Sequence, residues 1–270
     1  MRRVLVTGGN GQLGHSIRAK LDNYEDIEAS FIDVEDLDLT DEEATIRYIG
    51  EHPCDVIVNC AAYTAVDRAE SEPELAMAVN AFAVKNLAIA AKKSGCKVIH
   101  ISTDYVFDGN ADRPYREDDE PSPTSVYGST KLEGERLLQE IMEDAIILRT
   151  AWLYSEFGRN FFLTMKQKAL EGVTVRVVND QRGTPTYAGF LADTILRIID
   201  SEKWVPGIYH VTDGEETTWY EFTREIYRKF GADPELVKPI SSEEYPTPVK
   251  RPKYSVLGVE KIKDIYGIER

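Results

Sequence analysis

The chain has 270 residues and 42% apolar content, enough for one large α/β domain or a core with a small lobe. Its 32 Lys and Arg stand against 47 Asp and Glu, a formal charge of −15. That excess argues against general nucleic-acid binding and against seating on anionic membrane, both of which need basic surface. A nucleotide ligand remains compatible, because a helix N-terminus and a few local cations can hold it. Cys54, Cys60 and Cys96 are scattered and form no CxxC pair, so they read as buried thiols rather than zinc ligands. The first residues read directly as a strand, with no secretory apolar core and no expected transmembrane span, which suggests a cytoplasmic protein.

Strand and helix patterns alternate from the start. Residues 4–6 are an apolar run, 12–21 a short helix and 27–32 a second strand. A helix is expected over 41–50 with Thr40 as its N-cap, then a buried strand over 55–59. Residues 73–93 give the longest helical pattern, with Ser71 as cap, Pro73 in the first turn and Gly95 ending it. Strands at 97–101 and 145–148 flank a helix at 124–142. Residues 110–125 carry Pro114, Pro121 and Pro123 and read as a surface loop.

Short apolar strands separated by helices imply a doubly wound parallel sheet covered on both faces, a Rossmann-like α/β fold. Beyond residue 150 the pattern loosens. Helices are expected at 160–171, 187–200 and 219–230, strands at 173–178 and 208–211, and an extended loop at 239–252. No linker is evident. Residues 1–150 therefore read as a dinucleotide-binding core. Residues 151–270 read mainly as a smaller substrate-binding lobe, with some segments returning to the core.

Two motifs carry the chemistry. The first is Thr7-Gly8-Gly9-Asn10-Gly11-Gln12-Leu13-Gly14, between a strand and a helix. Its glycines allow a tight turn and close approach of backbone to a pyrophosphate, and the helix beginning near Gln12 points free N–H groups at phosphates. Asp33 follows the second strand, 19 residues beyond Gly14, where a carboxylate can accept from ribose hydroxyls and favour NAD over NADP. Asp38 and Leu39 beyond it, and Ala61, Ala62 and Tyr63 after the third strand, complete the expected cofactor set. Small residues at a strand's carboxyl end let a ligand lie close.

The second motif is Tyr127-Gly128-Ser129-Thr130-Lys131. Tyr127 and Lys131 are four residues apart and share one helical face. An ordinary tyrosine has a pKa near 10, and a neighbouring ammonium is expected to lower it toward useful proton exchange. Lys131 could also hydrogen-bond a nicotinamide ribose. The hydroxyl of Thr103, at the end of the fourth strand, could bind a substrate carbonyl. Together they suit carbonyl reduction or alcohol oxidation. Trp152, after the fifth strand, is placed to wall a substrate ring. His15, His52, His100 and His210 are not spaced as metal ligands.

These residues together resemble the extended short-chain dehydrogenase/reductase superfamily and, within it, the dTDP-4-dehydrorhamnose reductases. The similarity runs over nearly the whole chain. It includes Asn59-Cys60-Ala61-Ala62-Tyr63-Thr64, Ser102-Thr103-Asp104-Tyr105-Val106-Phe107, the Tyr127–Lys131 motif, Arg149-Thr150-Ala151-Trp152 and Arg251-Pro252. The resemblance implies reduction of the C4 keto group of dTDP-4-dehydro-L-rhamnose by NADPH or NADH, giving dTDP-L-rhamnose. It implies that Thr103, Tyr127 and Lys131 are catalytic and that Gly8, Gly11 and Gly14 form the cofactor loop. Thr103, Asp104, Tyr105, Trp152 and Arg251 would line the sugar-nucleotide site, the Arg suiting a diphosphate. Some relatives hold Mg²⁺ with acidic residues at a dimer interface; Ser16 stands where such a residue is sought, so no metal is expected. A homodimer is compatible with the sequence. Two rivals stand beside this reading. A related dehydratase would need an acid after Thr103-Asp104, where Tyr105 is found. A non-catalytic subunit like the methionine adenosyltransferase β subunit is the other.

Overall fold

The computed structural model describes residues 1–201 and 203–269. It begins with β1 (Arg2–Thr7), α1 (Gln12–Lys20), β2 (Ile27–Ile32), α2 (Glu42–Glu51) and β3 (Val56–Asn59). A long helix follows, α3 (Pro73–Ser94), then β4 (Lys97–Thr103), α4 (Val126–Ile141) and β5 (Ile146–Thr150). The last third holds α5 (Phe161–Leu170), β6 (Val175–Val178), α6 (Ala188–Asp200), β7 (Gly207–His210), α7 (Trp219–Lys229), β8 (Val237–Ile240) and α8 (Glu260–Tyr266). Among the described residues, six strands form one sheet in the order β7-β5-β4-β3-β1-β2. Its pairings are all parallel.

The strands are apolar on both faces because helices cover both. Val4, Val6, Val58, Ile99 and Leu148 pack on one side with Ile195 and Leu196 of α6. Leu5, Ile57, Val98 and Ile147 pack on the other with Leu87 of α3 and Leu138 of α4. The order reverses between β1 and β3, which opens a crevice at the carboxyl ends of the strands.

Several local expectations are corrected. Asp41, not Thr40, caps α2, its carboxylate accepting from the Ala44 N–H at 2.9 Å. Ser71 does not cap α3: its hydroxyl donates to the Arg68 carbonyl, and Pro73 starts the helix. β4 and β5 run two residues further than their apolar runs. The ladder continues through Ser102↔Arg149 and Thr103↔Thr150, so pairing carries polar residues that hydrophobicity alone would end on. The expected loop at 239–252 gives its first two residues to β8, which pairs with β6. The 110–125 segment is irregular but not wholly superficial, since Tyr115 is buried and stacks on Phe107 at 4.3 Å. Cys60 opens onto the cavity described below, while Cys54 and Cys96 lie 3.3 Å apart beyond the other ends of β3 and β4.

By length and composition the 22 residues of α3 could cross a bilayer, contrary to the expectation that no such segment exists. In the fold they form a core helix: Val84, Leu87, Ala88 and Ala91 are buried. A π turn interrupts it over Ala78–Phe82, and this turn carries the buried Asn80 toward α4. Such bulges recur near functional sites.

The segment after residue 150 is shared between two bodies. β7 extends the sheet beside β5, and α6 packs on α1. In contrast, α5, α7, β6 and β8 gather around Ala169, Val177, Tyr227 and Val237 as a separate small core.

Candidate active site

A cavity of about 920 Å³ lies at the carboxyl ends of β1, β3, β4 and β5, near the upper end of ordinary ligand pockets. Its floor is the glycine loop. Gly8 has φ +65°, and a Cβ there would fall 2.7 Å from the Ala61 N, so the turn can be this tight only with glycine. Gly11 caps α1 with no side-chain bond, so the first N–H groups of the helix remain free for an anion. Gly8, Asn10, Gly11, Gln12 and Leu13 line the cavity. Gly14 does not line it. A Cβ there would sit 2.6 Å from the Gly9 carbonyl oxygen, so Gly14 lets α1 pack on its own turn.

Asp33 lies at the rim just beyond β2, lining the cavity. One carboxylate oxygen accepts from the Asn10 N–H at 2.8 Å and the other from the Val34 N–H at 2.9 Å. Asp38 and Leu39 line the same end, Asp38 holding the Thr40 hydroxyl at 2.7 Å. Ala61, Ala62 and Tyr63 form the wall after β3. Asn80 of the π turn clamps Tyr63: it accepts from the Tyr63 N–H at 2.8 Å and donates to the Tyr63 carbonyl at 3.1 Å. The Tyr63 hydroxyl donates to Glu72. A free helix N-terminus, a close-approach glycine turn and a carboxylate at the second strand fit an adenine dinucleotide.

At the other end lie Thr103, Asp104, Tyr105, Tyr127 and Lys131. Ser125 caps α4, accepting from the Gly128 N–H at 3.1 Å, and so places Tyr127 in the first turn. A Cβ on Gly128 would fall on the Tyr105 carbonyl oxygen, so this glycine lets α4 lie against the end of β4. Tyr105 and Tyr127 then meet edge to face at 5.5 Å.

The electrostatics differ from the sequence expectation. Burial pushes the Tyr127 phenol well up; the Thr103 hydroxyl opposes this, while Asp104 and Tyr105 add to the rise. Lys131 does not lower it here. The Lys131 ammonium is turned to the sheet, where Nζ donates to the Ile101 carbonyl at 2.6 Å. Burial pushes Lys131 down to about 8, against the opposing pull of Glu135 and Cys60. Asp104 is pushed up to about 6 by burial, despite hydrogen bonds from Ser255 and Thr103. Tyr127 is therefore a phenol at neutral pH, ready to donate, and Lys131 is the group that titrates near it.

The substrate set divides. Trp152 lines the cavity and, among the described residues, is the non-glycine residue with positive φ, +49°. A bulky side chain rarely adopts that conformation, so the surroundings must hold it. Trp219 does so, stacking on it at 3.6 Å and 9°. Arg251 does not line the cavity. It is committed next door, donating to the Tyr105 hydroxyl at 2.9 Å and to Asp67. Sequence reasoning missed a closing segment. Gln12 of the glycine loop accepts from Asn160 at 2.8 Å and from the Ser155 hydroxyl at 3.1 Å, which ties the loop to the start of α5. Asn160 was legible as a helix start, but its partner 148 residues away was not. Among the described residues no group of three or more His, Cys, Asp or Glu is gathered for a metal.

Comparison with known proteins adds to this geometry. The family model described as RmlD substrate binding domain matches residues 1–270. A dTDP-4-dehydrorhamnose reductase of Streptomyces griseus is 44% identical over 265 residues, covering 97% of this chain and 87% of that protein. A crystal structure of a dTDP-4-dehydrorhamnose reductase from Clostridium acetobutylicum superposes with a TM-score of 0.93 at 43% identity, covering 99% of this chain and 94% of the other. The enzyme of that name from Bacillus anthracis, solved in complex with NADP, also gives 0.93, at 36% identity over 97% and 92%.

Proposed function

Because the chain belongs to the RmlD substrate binding domain family, we propose that it reduces the C4 keto group of dTDP-4-dehydro-L-rhamnose to dTDP-L-rhamnose with NADPH or NADH. The observation that carries this reading is one cavity lined both by the glycine loop and by Thr103, Tyr127 and Lys131.

Gly8, Gly11 and the N-terminus of α1 would hold the pyrophosphate of the cofactor, and Asp33 its adenosine ribose. Bound NADPH or NADH supplies a hydride to the carbonyl carbon. Tyr127 gives its proton to the carbonyl oxygen. The hydroxyl of Thr103 holds that oxygen beside Tyr127. The Lys131 ammonium would hydrogen-bond the nicotinamide ribose and so hold the reacting end of the cofactor near Tyr127. Trp152 walls the sugar. Tyr105 argues against elimination. It stands where a dehydratase would need a carboxylic acid, and its side chain is a phenol that accepts from Arg251 at 2.9 Å.

The direct test is oxidation of NADPH and NADH, followed by absorbance, with dTDP-4-keto-6-deoxy sugars, with and without a 3,5-epimerase. Turnover only when the epimerase is present supports the L-sugar substrate. No oxidation in either arm removes the proposal.

Two further results are expected. Lys131 acts as an ammonium and titrates near 8. It is charged below that pH and loses its proton above it, so kcat should fall as pH rises through about 8. A flat profile to pH 10 would separate Lys131 from the rate. Asp33→Ala should weaken NADH by about tenfold or more, the scale of a hydrogen bond to a charged group, and NADPH less. Equal loss for both cofactors would take Asp33 out of the ribose site.

A further inference from the structure

Three polar side chains stand in line across the sheet under the catalytic lysine. Thr7, Asn59 and His100 are register partners on β1, β3 and β4. Alternation along each strand puts them on one face, the face that α4 covers. All three are buried, His100 completely. None belongs to the apolar packing around them; Thr7 and Asn59 adjoin the cavity, while His100 lies outside both the cavity lining and the sequence motifs.

Their hydrogen bonds fix a direction. The Ala61 backbone N–H donates to Asn59 Oδ1 at 3.2 Å, and a backbone N–H can only donate. The Thr7 hydroxyl donates to the same oxygen at 2.7 Å. The Asn59 amide group therefore cannot be reversed, and its Nδ2 faces His100 Nδ1 at 3.1 Å. An amide nitrogen only donates, so His100 Nδ1 carries the lone pair. Burial and the Lys131 charge keep the ring neutral. A neutral imidazole has one proton, which must then sit on Nε2, 3.4 Å from Lys131 Nζ. An N–H that faces an ammonium meets another donor. An N–H that faces a neutral amine makes a hydrogen bond to its lone pair.

We propose that His100, locked by Asn59 with its proton on Nε2, is a positioning residue that biases Lys131 toward its neutral amine and so sets the pH at which the enzyme stops turning over. This rests on the assignment of Lys131 to the reductase chemistry. The other groups set against Lys131 are Glu135 on its own helix and Cys60 beyond β3, with Arg149 of β5 paired to Glu135. His100 is the member of this set that approaches Nζ through a neutral N–H.

The test has two arms. Long-range ¹H–¹⁵N correlation spectra of the wild-type protein read the His100 tautomer without substrate. A proton on Nε2 and a bare Nδ1 at neutral pH are expected; a proton on Nδ1, or an imidazolium, overturns the proposal whatever the enzyme's substrate. In the second arm, His100→Phe keeps a ring of similar size and removes the N–H. Its alkaline limb of kcat should move up by about one pH unit, the size of an ordinary hydrogen bond expressed as a pKa difference. Asn59→Asp keeps the acceptor for Thr7 and Ala61 but replaces the amide donor with a carboxylate that accepts from Nδ1–H, which moves the ring proton to Nδ1 and turns the Nε2 lone pair toward Lys131. Its limb should also move up. Limbs unchanged from wild type in both variants, with kcat at neutral pH retained, sink the idea. A purely structural loss would lower kcat at every pH and leave the limb in place, which also counts against it.

Discussion

Tyr127→Phe is expected to lower kcat by about 10²–10⁴-fold, the usual contribution of a positioned general acid. Cofactor binding should stay within a few-fold of wild type. The phenylalanine ring can keep the edge contact with Tyr105 at 5.5 Å and the position that Ser125 gives the first turn of α4. What is lost is the proton. Burial holds the Tyr127 phenol well above its ordinary pKa, so at neutral pH the wild-type residue carries its proton into every turnover. Calorimetric titration with NADPH and steady-state rates on the same preparation separate the two effects. If the variant turns over at the wild-type rate, Tyr127 is not the proton donor. If NADPH binding collapses with the rate, the defect lies in the site's shape.

The second large effect concerns stability. Glu135→Gln should cost about 3–5 kcal/mol, because it leaves a buried guanidinium without its counter-charge. Arg149 and Glu135 are each 1% exposed at the side chain. They form a two-pronged pair, with Nε to Oε1 at 2.9 Å and Nη2 to Oε2 at 2.6 Å. The Arg149 guanidinium also lies 5.1 Å above the Phe107 ring. For a chain of this size the loss should appear as a fall of roughly 10 °C in Tm. Glu135→Leu combined with Arg149→Met should recover most of it, since apolar replacement of a whole buried pair is often neutral. A double variant as unstable as the single one would mean that shape, not unpaired charge, sets the cost. Glu135 also favours the charged form of Lys131, so the single variant should bring the alkaline limb of kcat down.

Much of the site was legible before any coordinates. The glycine loop announces itself because its function needs residues within eight positions of one another. The Tyr127–Lys131 pair follows from helical spacing alone. Asn59 reads in sequence as the last residue of the third strand and the first of a stretch shared with the family. Its side chain has meaning once β1 and β4 lie on either side of β3, and no local pattern reports that neighbourhood. Arg251 is a second case: no local pattern reports that its guanidinium is engaged by Tyr105 and by Asp67, the latter 184 residues away in sequence. Glu135 passed unnoticed because an acidic residue on a helix normally faces water.

The sequence by itself determined the order of strands and helices, the parallel sheet, the phosphate turn and the tyrosine–lysine face. Each depends on periodicity or on backbone demands a few residues long. Tertiary structure alone decided protonation and closure. Burial holds Tyr127 as a phenol and brings Lys131 to about 8, reversing the expectation that the lysine would lower the tyrosine. Asn160 reaches back to Gln12 across 148 residues to hold the glycine loop against α5. Desolvation and partner geometry come from groups distant in the chain, and their strength depends on how much water the finished fold excludes. The spacing of Tyr127 and Lys131 therefore specifies which residues share a face, and the packed sheet beneath them specifies how tightly each holds its proton.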